Sequence, residues 1–268
     1  MNHLKTFFTN STKTAGRITN GIYILLRIIV VIMLVDQVWN QHWGNTMLLL
    51  LTLILFEIPY FLEKILKIQI PNMLEIILLS FIFSSTVLGE LSDFYDYFSM
   101  WDTFLHAFSG FLAGGVGFSL VYLLNKNTKT MNLTPLLLAV VSFCFSMTVG
   151  VMWEFVEFSA DKLLQFDMQK DTIIQQINSV ELSKDGNTVY HVPDITRTII
   201  ESQNADGKTD KTIIQNGYLD VGIMDTMKDL FVNFIGAVVF SVFGYLYSRN
   251  DYQKFTFIKN FIPKKIKR

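Results

Sequence analysis

Along this chain, apolar runs long enough to cross a bilayer alternate with short polar connections. A membrane-spanning helix needs about 20 mostly apolar residues, and six stretches meet that requirement: roughly residues 20–38, 46–67, 72–91, 102–124, 134–158 and 226–248. The first contains Arg27, yet no small-x-small cleavage site of a signal peptide follows it, so it reads as a span. After the fifth run the pattern changes. Short β-branched segments appear, "DTIIQQINSVEL", "NTVYHV", "ITRTIIES" and "DKTIIQ", separated by "SKDGNT" and "NADGKT". Asp-Gly between such segments signals a hairpin turn, because Gly accepts a positive φ cheaply. Two hairpins forming a small sheet are predicted.

The expected fold class is therefore an all-α integral membrane protein of about six transmembrane helices, with a small extracytoplasmic β-hairpin insert between helices 5 and 6. Residues 1–158 would carry spans 1 to 5, residues 159–222 the insert, residues 223–250 span 6, and residues 251–268 a basic cytoplasmic tail.

Composition agrees. The 268 residues are 51% hydrophobic and only 17% charged, too apolar for an ordinary soluble domain. Lys and Arg set the orientation, because short cytoplasmic loops accumulate them. Lys5, Lys13 and Arg17 precede span 1, Lys64 and Lys67 separate spans 2 and 3, Lys126 and Lys129 separate spans 4 and 5, and "KNFIPKKIKR" lies in the tail. The loops around "QHWGN" and "ELSDFYDYFSM" contain neither residue. Both termini are thus expected in the cytoplasm and residues 159–222 outside it. The tail is expected to touch anionic lipid headgroups, with no role in binding nucleic acid. Trp39, Trp43, Trp101 and Trp153 suit an outer aromatic belt. The single Cys144 lies within span 5, where no intramolecular disulfide is available and a packing role is expected. Arg27 and Glu57 are candidates to pair across spans 1 and 2. His191 reads as a surface strand residue.

The chemistry gathers in the last three spans. Residues three or four apart share a helix face. One face of span 4 carries Asp102, His106, Gly110, Ala113 and Gly117; one face of span 6 carries Asp225, Asp229, Asn233, Gly236 and Phe240; one face of span 5 carries Ser146, Gly150, Glu154, Glu157 and Asp161. Each face is polar at one end and mostly small further in. Small residues permit close helix approach in lipid, so the three spans are expected to touch. Asp102, His106, Glu154, Glu157, Asp225 and Asp229 would then converge near the outer boundary. Carboxylates crowded in a poorly hydrated site repel one another unless protons or a cation compensate. One His with several carboxylates, without thiolates, suits a divalent ion such as zinc, manganese or magnesium. His106, Glu154, Asp229 and Asp102 are the candidate metal ligands, and Glu157 and Asp225 the candidate proton-transferring carboxylates. The alternative is a hydrogen-bonded structural network, in which Asp102 and Asp225 serve the positive ends of their helix dipoles.

"WDTFLHAFSG", "WEFVEFSAD" and "DTMKDLFVNFIGA" resemble the three motif blocks of VanZ-like membrane proteins and of the related YjdF-like family. The match runs through Asp102, His106, Glu154, Asp229, Asn233, Gly236 and Ala237. It departs at Glu157, where VanZ-like proteins often have Gln, and in the length of the insert. The resemblance implies a bacterial plasma-membrane protein linked to the cell envelope and brings no settled reaction. Three functions follow as expectations. The first is a metal-dependent hydrolase or transferase acting on a lipid-linked or amphiphilic substrate at the outer leaflet. The second is a scaffold that recruits an envelope partner through the insert. The third is a proton- or cation-coupled transporter, against which stands the placement of the acids at one end of the bundle instead of its middle. Oligomeric state is left open.

Overall fold

The structure, a computed structural model, describes residues 17–127, 133–249 and 255–265. Lys5, Lys13 and Lys129, used above for orientation, lie outside those residues. Among the described residues, six helical segments are long and apolar enough to cross a membrane: Ile18–Trp39, Trp43–Ile65, Asn72–Leu91, Trp101–Asn125, Pro135–Leu164 and Ile223–Arg249. They coincide with the six apolar runs of the sequence. The chain is mostly helical, with small β-hairpins between the fifth and sixth segments.

The first segment is α1 (Arg17–Trp39). The second is broken into α2 (Trp43–Leu55) and α3 (Ile58–Leu66). Pro59 in the first turn of α3 explains the break, because its ring and missing N–H cannot continue a helix whose carbonyl four residues back is Leu55. Strand β1 (Ile68–Gln69) leads into α4 (Asn72–Phe83), which runs on as a π-helical stretch, Ser84–Leu91. A short α5 (Phe94–Tyr97) precedes the long helices α6 (Trp101–Asn127) and α7 (Pro135–Leu164). After the insert comes α8 (Ile223–Arg249).

The chain divides into two compact units, residues 1–150 with 232–268, and residues 151–231. The first unit holds two apolar cores. Tyr23, Val30, Leu49, Phe56, Leu79 and Val87 form one among the first three segments. Leu112, Phe118, Leu138, Phe240 and Tyr247 anchor the other among α6, α7 and α8. Arg27, fully buried, forms an ion pair with Glu57 at the helix break and donates to the Tyr23 hydroxyl at 2.9 Å. The pairing of Arg27 with Glu57 foreseen from the sequence is thus present.

The start of the C-terminal tail packs into this unit. Ile258 is fully buried and Phe261 nearly so. The Phe261 ring meets Phe240 and Phe111 at centroid distances of 5.3 and 5.8 Å, and its carbonyl accepts a hydrogen bond from Ser119 at 2.6 Å. Strand β8 (Lys264–Lys265) pairs antiparallel with β1. Aromatic residues set between the lysines make this segment part of the core, while Lys259 and Lys264 stay exposed; residues 251–254 and 266–268 of the expected basic tail lie outside the described residues. Cys144 also differs from expectation: it is exposed on α7, directed away from the core.

The second unit contains the insert. Strands β3 (Ile177–Ser179) and β4 (Tyr190–Val192) form one hairpin, and β5 (Arg197–Gln203) and β6 (Thr209–Gln215) the other. Their turns contain Gly186 and Gly207 at φ of 65° and 73°, as the Asp-Gly signals required. Strand β2 (Ile173–Ile174) pairs with β7 (Tyr218–Leu219) to close the base. The ladders stay separate instead of merging into the single sheet expected, because Pro193, which lacks a donor, and left-handed Asp194 interrupt the run between β4 and β5. His191 sits on the exposed β4 and hydrogen-bonds Asn178 at 2.7 Å.

Candidate functional site

Close backbone approach brings α6, α7 and α8 together within the first unit. A Cβ placed on Gly236 would strike the Ala107 carbonyl oxygen, and one placed on Gly110 would strike the Asn233 carbonyl. On α7, a Cβ at Gly150 would come within 2.5 Å of the Asn233 amide nitrogen. The Asn233 side chain therefore lies in a notch between two glycines from two helices. Hydroxyls lock the same surfaces: Ser146 donates to the Gly110 carbonyl at 2.6 Å and Ser142 to the Gly114 carbonyl at 2.7 Å. Such interhelical bonds contribute about 0.6 kcal/mol each in a bilayer. The small-residue faces read from the sequence are these contact surfaces.

One helical turn beyond this layer stand His106 on α6, Glu154 on α7 and Asp229 on α8. His106 Nε2 lies 3.5 Å from Asp102 Oδ1, with side chains 13% and 28% exposed. The Asp229 carboxylate is almost wholly buried, and Lys228 Nζ is 4.0 Å from it. Helix α8 is continuous from Asp229 to Asn233. One donor atom each from Asp102, His106 and Asp229 fall within 4.8 Å of one another. Two carboxylate oxygens and one imidazole nitrogen are a donor set that a hard or borderline divalent ion accepts.

The other expected site residues are placed differently. Glu154 is buried and lies outside that donor group. Buried Glu157 accepts the Trp153 indole N–H at 2.7 Å. Asp225 accepts the Lys170 backbone N–H at 2.9 Å and lies 3.8 Å from Lys228 Nζ. Two neighbours do similar work at the base of the insert. Asp161 accepts the N–H groups of Met168 and Gln169 at 2.6 and 2.9 Å, and Asp220 accepts those of Thr172 and Met224, each at 2.8 Å. The sequence put Asp161 on the polar face and overlooked Asp220; the Asp-x-x-x-Met start of a helix was its available signal. Also overlooked were two buried acids of the first unit, Glu63 and Glu75, although an acid inside an apolar run is itself a signal.

An uncharacterized protein of Thermotoga maritima is 30% identical over 123 residues, which are 44% of this chain and 62% of that protein. The chain thus covers under two thirds of this relative. No solved structure matches. The family match is broader than the local likeness to VanZ-like blocks and does not carry that name: over residues 21–250, this chain belongs to the family described as Predicted membrane protein (DUF2238).

Proposed function

We propose that this protein is a metal-dependent enzyme of the bacterial plasma membrane, acting on a lipid-linked or amphiphilic envelope substrate at the outer leaflet. The observation that carries the reading is the donor group of Asp102, His106 and Asp229, the last buried and the first two half-buried, on helices that interlock through small residues. Intramembrane ionisable residues are costly and usually functional. These three side chains would hold a divalent ion, zinc, manganese or magnesium. Such an ion polarises an ester, amide or phosphoryl oxygen and lowers the barrier to attack by water. Asp102 Oδ1 lies 3.5 Å from His106 Nε2, so both side chains can present donor atoms to one ion. Glu154 would be a further ligand, and Glu157, which accepts the Trp153 indole N–H, or Asp225 would accept and return a proton; Asp225 also couples this end of α8 to the insert. The resemblance to VanZ-like blocks supports the link to the envelope.

A scaffold is the second reading. It is favoured by the way Asp161, Asp220 and Asp225 spend their oxygens on backbone N–H groups of the insert base, which makes that base a rigid platform for an envelope partner. Metal analysis by mass spectrometry on protein purified without chelator separates the two. The enzyme reading expects near-stoichiometric metal in wild type, lost in His106→Ala and Asp229→Ala variants that still elute as folded protein, and retained in Glu157→Ala. Metal-free wild type, even after reloading, would leave the scaffold.

A further inference from the structure

The second unit leaves a strand edge open. In the ladder of β5 and β6, Ile199 stands opposite Ile213 and Glu201 opposite Lys211, and no third strand joins it among the described residues. The phase of its hydrogen bonds follows from the two ends: the Asn216 N–H donates to the Thr196 carbonyl at 2.8 Å, and the Asn204 N–H to the Lys208 carbonyl at 3.0 Å. Backbone groups of alternate residues in an antiparallel ladder turn toward the partner strand. The even-numbered residues of β5 therefore bond β6, and the N–H and C=O groups of Arg197, Ile199 and Glu201 face the other edge. Ile195 shows that this edge takes a hydrogen bond, since its N–H donates to the Gln175 carbonyl at 2.8 Å. From Arg197 onward the edge is uncovered among the described residues.

A two-stranded hairpin by itself is marginal in water, and an open edge is a template for another strand. Proteins that keep an edge solitary place Lys, Pro or a bulge on it. Strand β5 has no Lys and no Pro, and its register runs without a bulge. Ile199 and Ile213, side by side, are 47% and 50% exposed.

Charge and symmetry select the occupant. Arg197, Ile199 and Glu201 alternate along β5 and so share one face. An antiparallel second copy of β5, centred on Ile199, sets Ile199 opposite its own counterpart and Arg197 opposite Glu201 in both directions. Arg197 has no ion-pair partner among the described residues, and Glu201 already meets Lys211 at 2.6 Å. Across four strands one row then reads Lys211, Glu201, Arg197, Gln215, with alternating charge, and the central row is isoleucine throughout. Strand β6 offers no such match, because Lys211 is the one charged residue among those facing its outer edge.

We propose that the open edge of β5 is a self-association surface, at which two copies of this chain pair antiparallel about Ile199 to make one four-stranded sheet. About six backbone hydrogen bonds join the copies. The surface is separate from the Asp102, His106 and Asp229 group and does not rest on the metal reading. An edge this short buries less than the about 1,200 Å² of a stable interface in solution, so the pairing belongs to the membrane, where both copies are confined.

Cysteine cross-linking of the full chain in isolated membranes tests this, in a Cys144→Ser background because Cys144 is exposed. Ile199→Cys is expected to give a disulfide-linked dimer on mild oxidation, since facing residues of a hydrogen-bonded pair have Cα atoms about 5.5 Å apart. Ile213→Cys, as exposed and on the same face, is expected to give none, because three strand spacings, about 14 Å, separate it from its counterpart. Adding Arg197→Glu to Ile199→Cys sets like charges opposite and is expected to lower the dimer yield about fivefold, whereas Arg197→Lys keeps it. A folded Ile199→Cys variant that stays monomeric overturns the proposal. So does equal cross-linking of the Ile199→Cys and Ile213→Cys variants, the sign of random collision, or an undiminished yield with Arg197→Glu. Should Ile199→Cys fail to fold, Arg197→Cys and Glu201→Cys copies with different tags are expressed together; a mixed disulfide is expected, and its absence overturns the proposal.

Discussion

Gly236 shows how much a single missing side chain can determine. A Cβ there would strike the Ala107 carbonyl oxygen and come within 2.8 Å of the Phe111 nitrogen, and backbone atoms of two packed helices cannot step aside. Gly236→Ala is therefore expected to cost about 1–3 kcal/mol, read as a lower Tm in detergent and a lower yield of folded protein. Gly21→Ala on α1 is the control: nothing lies within 4 Å of its Cβ position, and it should change stability by less than about 0.5 kcal/mol. Equal Tm values for the two variants would show that the α6–α8 approach is looser than described. At this scale the sequence was informative about residue type and poor about partners. Four-residue spacing was enough to set His106 beside Asp102. Nothing local could show that Asn233 would lie between Gly110 and Gly150, or that an oxygen of Asp225 would be used by Lys170, because those partners are distant in the chain and meet only when the helices pack.

Hairpin turns were the most legible elements, since Asp-Gly sequences encode a local backbone conformation without help from tertiary contacts. The turn at Asp185 also predicts a pH response. The Ser183 hydroxyl and the N–H groups of Asn187 and Thr188 donate to the Asp185 carboxylate, and these bonds hold its pKa well below the usual carboxylate range. A depressed folded-state value means that this stabilisation is present above the unfolded pKa, about 3.9, and is lost as the pH falls through the folded value. Amide hydrogen exchange at Asn187 and Thr188 should accordingly be slower in wild type than in Asp185→Asn near pH 5, with the difference vanishing in strong acid. A difference that persists unchanged in acid would contradict the carboxylate account. Longer elements were less legible in detail. The break at Pro59 has a local cause, but the π-helical Ser84–Leu91 and the folding of Phe261 into the core do not. Both depend on which side chains must fit against neighbouring helices.

The orientation of the whole chain in the membrane can be tested directly. Cysteines introduced singly at Gln41 and Asn204 in a Cys144→Ser background are expected to react with a membrane-impermeant maleimide added to intact spheroplasts, and one at Lys67 only after lysis. Reaction at Lys67 in intact spheroplasts would reverse the topology and move the Asp102, His106 and Asp229 group to the cytoplasmic face. What the sequence by itself determined was the existence of six spans, the hairpins between the last two and the identity of the acids and histidine, because burial of apolar length in lipid and turn chemistry are local or one-dimensional constraints. Only the tertiary structure decided which polar residues share a site. Asp102, His106 and Asp229 present donor atoms within 4.8 Å of one another, and Glu75 is buried without a hydrogen-bond partner for its Oε2 among the described residues. The physical reason is that such groupings depend on helix rotation and close approach, which are set by small-residue contacts between segments distant along the chain.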